Sequence, residues 1–230
     1  MENKKQLKVL NLYAGIGGNR KLWTNVDVTA IEISPEIAKI YQDFFPEDKV
    51  IIADAHQYLL EHYKEFDFIW SSPPCPSHSR MRKSLINTRC GAKPIYPDIK
   101  LYEEILFLQG YFKGKWVVEN VISWYEPLIQ PKKIDRHFYW CNFKIDNFST
   151  PNAKFSLTNG IHKETDKQQV ERLSKELGFN LEKYKGNKRT MLRNCVNPET
   201  GLHIFKMGFK SKQQTIEQLN SEGKFFSSQA

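Results

Sequence analysis

Three short apolar runs near the start of the chain each end on a chemically marked residue, and this restricts the fold more than any other feature. The run Lys8–Tyr13 leads into the turn Tyr13-Ala14-Gly15-Ile16-Gly17-Gly18, Val28–Ile33 carries Glu32 at its end, and Val50–Ala53 is followed by Asp54. Each run has the length and β-branched character of a buried strand. Between the second and third, Pro35–Phe45 reads as a helix, with Ser34 as N-cap and Pro35 in the first helical position. Further strands are expected at Phe66–Ser71, Trp116–Val118 and Phe138–Phe143, and further helices at Tyr58–Tyr63 and Ile99–Phe112. Leu101, Ile105 and Leu108 form one stripe on the last of these. Strands alternating with helices predict an α/β fold, a parallel sheet covered by helices on both faces.

After Phe143 the pattern lapses. Residues 144–188 are polar and Lys-rich, with one helical stretch at Lys167–Leu177, and apolar patterning resumes at Met191–Phe205. The chain of 230 residues therefore reads as one core built from residues 1–143 and 189–230, interrupted by a small insertion at 144–188. A separate domain of such a size would be marginal on its own. The tail Ser221–Ala230 is expected to fray. No apolar run reaches the roughly 18 residues of a membrane span, and Met1-Glu2-Asn3-Lys4-Lys5 leads into a strand, so a cytoplasmic protein without membrane contact is expected. Cys75, Cys90, Cys141 and Cys195 are scattered without metal-ligand spacing, which predicts free thiols and no metal. The net charge of +8 favours a polyanionic partner.

Ligands of open α/β sheets bind beyond the carboxyl ends of the strands. Glycines at the first end allow close backbone approach, Glu32 stands where ribose hydroxyls are accepted, and Asp54 could accept from an adenine amine or simply cap the next helix. The glycine run lacks both the dinucleotide fingerprint and a P-loop Lys-Ser/Thr. The combination points to an adenosine ligand without pyrophosphate, and S-adenosylmethionine fits best.

The fourth strand ends on Ser71-Ser72-Pro73-Pro74-Cys75. Two prolines halt the ladder and leave a thiol at a rigid strand end, a setting suited to a nucleophile. Residues 77–96 carry His78, Arg80, Arg82, Lys83, Arg89 and Lys93 with no acid, and read as a basic loop that closes over a phosphate backbone. Trp116–Val118 runs into Glu119-Asn120-Val121, which sets a carboxylate at the crevice where it could share a proton with a heterocycle nitrogen. Arg136 opens the aromatic run His137-Phe138-Tyr139-Trp140, and Arg193-Asn194-Cys195-Val196 precedes the last apolar stretch.

In this order the motifs resemble the DNA (cytosine-5)-methyltransferase family, in particular its compact bacterial and phage-type members. The resemblance covers most of the chain outside residues 144–188. It implies a Rossmann-like S-adenosylmethionine-dependent methyltransferase sheet with a small target-recognition insertion. It further implies that Tyr13, Gly15, Gly17, Glu32 with Ile33, Asp54 with Ala55, Pro74, Leu101, Asn194 and Val196 surround S-adenosylmethionine. Cys75 would attack carbon 6 of a flipped cytosine, Glu119 would serve its ring nitrogen, and Arg136 would contact the pyrimidine. Ser77, Arg80, Arg82, Lys83, Asn120 and Arg189 would meet duplex DNA, with Lys154, Asn159, His162 and Lys185 as further candidates by polarity. A monomer is expected, with a cognate restriction endonuclease as a possible companion. Two departures stand out: Pro76 replaces the usual Gln after the cysteine, and Asn11 replaces the usual Asp in the first strand. The competing readings are a tRNA cytosine-5 methyltransferase, an exocyclic-amine DNA methyltransferase, for which Ser72-Pro73-Pro74 lacks the aromatic that should follow, and a non-catalytic DNA-binding module.

Overall fold

Strand β1 (Leu7–Leu12) forms the centre of a sheet because its side chains are buried on both faces, as a strand flanked by parallel neighbours requires. Its neighbours are β2 (Val26–Glu32) and β4 (Phe68–Ser71); β3 (Lys49–Ile52) lies outside β2, and β5 (Lys115–Val121) outside β4. These five strands run parallel. The hairpin β6 (Lys132–Ile134) and β7 (His137–Cys141) completes the order β3-β2-β1-β4-β5-β7-β6, with β7 antiparallel to β5. The coordinates are a computed structural model that describes residues 6–86, 93–149 and 164–209. The expectations at Arg89, Cys90, Lys154, Asn159 and His162, and for the tail, lie outside the described residues.

Alternation along each strand divides the core in two. Leu10, Leu12, Ile69 and Val118 face α2 (Ala55–His62) and α4 (Lys100–Tyr111). Val9, Val28, Phe68, Trp70, Val117 and Tyr139 face α7 (Pro198–Phe209). Residues 13–25, between β1 and β2, contain no helix, and Trp23 fills that space by stacking on Phe205 at 4.9 Å. Helix α1 (Pro35–Phe44) begins as its sequence predicts, with the Ser34 hydroxyl accepting from the Ile37 N–H. Helix α5 (Asp166–Leu177) begins with a Thr165/Gln168 capping box and ends on Gly178 in the left-handed region at φ 68°. Its Leu173 and Leu177 pack with Ile16, after β1, and Ile40 of α1, so α5 shares a core with the elements beside the sheet.

Two local expectations change. The basic segment after Cys75 is not all loop: residues 80–86 form helix α3 (Arg80–Ile86), started by His78 and Ser79 N–H groups that both donate to the Cys75 carbonyl. Arg, Met, Lys, Leu and Ile without Gly or Pro support a helix whatever their charge. Strand β6 had no apolar pattern of its own, and it exists because β7 supplies a ladder across a turn at Asp135, φ 49°. Helix α6 (Lys188–Arg193) lies between α5 and α7 in the chain.

Gly18 is where the first and last motifs meet. A Cβ there would lie 2.5 Å from the Val196 carbonyl and 2.8 Å from the Cys195 Cβ. The obstruction is backbone, so Gly18→Ala is expected to cost about 1–3 kcal/mol, read as a lower urea midpoint with an unchanged m-value. A wild-type midpoint would show that this contact can relax. Asn11 has an equally local explanation. It is fully buried and exchanges amide hydrogen bonds with Asn19, whose Nδ2 donates to Asn11 Oδ1 at 2.8 Å. A carboxylate there would bury charge where a neutral amide satisfies both partners.

Candidate active site

Strand order reverses at β1, between β2 and β4, and the polar groups named from the sequence gather beyond the carboxyl ends there. A cleft of about 150 Å³ is lined by Tyr13, Glu32, Ile33, Asp54, Ala55 and Pro74, together with Asp98 and Lys100. The Glu32 carboxylate accepts from the Gly15 N–H at 2.9 Å and the Ser34 N–H at 3.0 Å, which fixes its plane while leaving lone pairs for a ligand. Asp54 caps α2, one oxygen accepting from the Gln57 N–H at 2.9 Å, and the residue also lines the cleft.

Leu101, Val196, Gly17 and Asn194 are not among the residues that line this cleft. Leu101 is 2 % exposed and packs with Leu10 and Leu12, and Val196 is buried beside Val9. Their apolar side chains build the two core faces. Gly17, at φ 85°, faces Phe45 and Tyr41, and Asn194 is exposed at the end of α6.

The sequence reading missed Asp98, Lys100 and Glu104. Glu104 carries a signal in hindsight, since it falls on the buried side of α4 between Leu101 and Leu108. It is fully buried and accepts from the Tyr13 hydroxyl at 2.6 Å and the Ser71 hydroxyl at 2.5 Å, with His56 Nδ1 at 3.0 Å. Burial, and then Glu104, push the Tyr13 phenol well above its ordinary range.

Cys75 and Glu119 stand at the ends of the adjacent strands β4 and β5. Burial pushes the Cys75 thiol up, and the Glu119 charge adds to this, whereas Arg193 pulls the other way. Glu119 is 6 % exposed, and its Oε1 lies 3.5 Å from His137 Nε2. Burial holds the His137 imidazole below its ordinary range despite that carboxylate. Arg193 lies within electrostatic reach of both Cys75 and Arg136. Arg136, His137 and Tyr139 also line a larger cavity of about 330 Å³ under α5 that includes neither Cys75 nor Glu119.

Two residues expected at DNA, Asn120 and Ser77, have their side chains engaged inside the protein. Asn120 is 2 % exposed and its amide donates to the Pro73 carbonyl at 2.9 Å, pinning the proline turn that presents Cys75. The Ser77 hydroxyl is buried and accepts from the Asp98 N–H. Arg80 donates to the Ser123 carbonyl at 2.9 Å, and Lys83 sits 4.3 Å from the Trp124 ring. Arg189 contacts Asp166 and Gln169. Arg82 Nε is buried and has no hydrogen-bond partner among the described residues.

The order of motifs along the chain and their convergence at these strand ends agree with one comparison. Residues 7–94 match the family model for C-5 cytosine-specific DNA methylase. The methylase match takes in the glycine turn, Glu32, Asp54 and Cys75. Among solved structures, a hypothetical protein from Thermus thermophilus is similar over 60 % of this chain and 75 % of its own, at 16 % identity and TM-score 0.40. Spodoptera frugiperda DNMT2 is 25 % identical over 50 % of this chain and 35 % of its own, with TM-score 0.33. A putative DNA modification methyltransferase from an Escherichia coli prophage is 19 % identical over 52 % of this chain and 33 % of its own, also at TM-score 0.33. No curated protein matches the chain. Among the described residues, no helix is long and apolar enough to cross a membrane and no group of three acidic, His or Cys side chains could hold a metal.

Proposed function

We propose that the protein transfers a methyl group from S-adenosylmethionine to carbon 5 of a flipped-out cytosine in duplex DNA, through a covalent adduct on Cys75. The observation that carries this reading is the placement of Cys75 and Glu119 on neighbouring strand ends beside the cleft of Tyr13, Glu32 and Asp54. The cleft suits the methyl donor: Glu32 can accept ribose hydroxyls, the free oxygen of Asp54 can accept an adenine amine, and Tyr13, Ile33 and Pro74 offer apolar walls. Bound there, S-adenosylmethionine supplies an electrophilic methyl and a neutral thioether leaving group.

The chain's own residues then do the following. The Cys75 thiolate forms a bond to carbon 6 while Glu119 gives a proton to N3, so that the displaced electron pair accumulates at carbon 5. After methylation, water takes the carbon 5 proton, the pair from that bond re-forms the carbon 5–carbon 6 double bond, the sulfur–carbon 6 pair leaves with Cys75 as thiolate, and the N3 proton returns to Glu119. Arg136 holds the pyrimidine, and Asn120 keeps the Pro73-Pro74 turn in place. The target atom is inaccessible in a stacked duplex, so the base must be extruded at a cost of a few kcal/mol. The basic α3, Arg189 and residues 144–188, read as the target-recognition segment, offset that cost through phosphate contacts.

The test is methyl incorporation from labelled S-adenosylmethionine. Label at carbon 5 of cytosine in duplex DNA is expected. Label confined to RNA, or to an exocyclic amine, would overturn the proposal.

A further inference from the structure

We propose that Glu104 is a positioning residue: from inside the core it holds the Tyr13 ring in the wall of the cofactor cleft, and so sets affinity for the adenosine ligand without touching it. This rests on reading the cleft as the S-adenosylmethionine site.

Glu104 takes no part in the proposed chemistry, yet it is the most heavily engaged buried acid near the cleft. Its partners come from three separate elements: Tyr13 follows β1, Ser71 closes β4, and His56 lies in the first turn of α2. Surrounding side chains are apolar, with Leu101, Ile105 and Leu108 on the same helix and Leu10 and Leu12 beneath. A carboxylate in such a place is costly unless its oxygens are used, and here both are. His56 adds a third contact. Glu104 raises the His56 pKa and so favours its charged form, with Glu103 3.6 Å from the other ring nitrogen and Lys100 opposing.

Tyr13 is what this arrangement holds. Its φ of 55° lies in the left-handed region, which a bulky residue adopts only when its surroundings insist. The backbone turn fixes one end of the side chain and Glu104 fixes the other. Between them the ring lines the cleft with Glu32 and Asp54. A ring tethered at both ends meets its ligand without first losing rotamer freedom, which is preorganisation.

Tyr13→Phe keeps the ring and removes only the tether. Its Kd for S-adenosylhomocysteine, measured by calorimetry, is expected to rise about tenfold, equivalent to about 1.4 kcal/mol. KM for S-adenosylmethionine should rise with it while kcat stays within about twofold, since uniform binding is what is lost. Glu104→Gln retains an oxygen for the phenol and should bind within about threefold of wild type. In a Glu104→Ala background, Tyr13→Phe should have less than about a twofold effect, because the bond it removes is already absent. A purely structural role would lower the unfolding midpoint of Tyr13→Phe and leave the Kd of the folded protein unchanged, and that result overturns the inference. A wild-type protein that binds no S-adenosylhomocysteine overturns the cleft assignment itself, which separates the two failures.

Discussion

Replacing Cys75 with serine is expected to abolish methyl transfer and covalent capture together. With S-adenosylmethionine present, duplex DNA carrying 5-fluorocytosine should trap the wild-type protein, because after methyl transfer fluorine cannot leave carbon 5 as a proton does and the sulfur–carbon 6 bond persists. The trapped complex should survive denaturant with wild type and be missing with Cys75→Ser. Turnover should fall at least about 10³-fold, the scale on which nucleophile deletions act. The thiol is held above its ordinary range by burial and by Glu119. A raised thiol pKa means less thiolate at neutral pH, so alkylation of Cys75 by iodoacetamide should be slow at pH 7. It should then rise by about tenfold per pH unit while the pH stays below the thiol pKa. A stable adduct in the serine variant would sink the nucleophile assignment. Fast, pH-independent alkylation would sink the account of its surroundings.

The second large effect is expected at Glu119. Glu119→Gln keeps the shape and an N–H donor for N3 but removes the transferable proton. Loss of a positioned acid typically costs 10²–10⁴-fold, and methyl transfer should drop within about that range with little change in the KM for S-adenosylmethionine. Capture by 5-fluorocytosine DNA should still occur, only more slowly, since Cys75 remains. A variant with an unchanged methyl-transfer rate would remove Glu119 from proton chemistry and leave its contact with His137 as a structural ion pair.

How much of this could be read in the chain depends on what kind of information each feature needs. Tyr13, Glu32, Asp54 and Pro74 were legible because strand ends are local events, and residues at consecutive carboxyl ends of one sheet must share a crevice. The strand and helix pattern was legible for the same reason, except where charge disguised good helix formers at α3 and where β6 depended on a partner strand. Leu101, Val196 and Asn120 were drawn toward ligands by resemblance alone. In the fold the first two are buried in the core and the third donates to the Pro73 carbonyl. His137 and Glu104 could not be assigned partners from sequence. One depends on the β5–β7 register and the other on the rotation of α4, and no local pattern encodes either.

Glu119 and Asn120 are consecutive on β5, so the pleat sends them to opposite faces: one toward Cys75 and His137, the other under the proline turn. Pairing with Tyr139 and Phe138 on β7 decides which is which. A slip of one residue in that antiparallel pair would exchange their faces, putting an amide where acid chemistry is needed and a buried charge beneath Pro73. The connection between β5 and β7 therefore behaves as a timing gear. It can vary in composition, but a change in its length that altered the strand pairing would take the proposed site apart without touching Cys75 or Glu119 themselves.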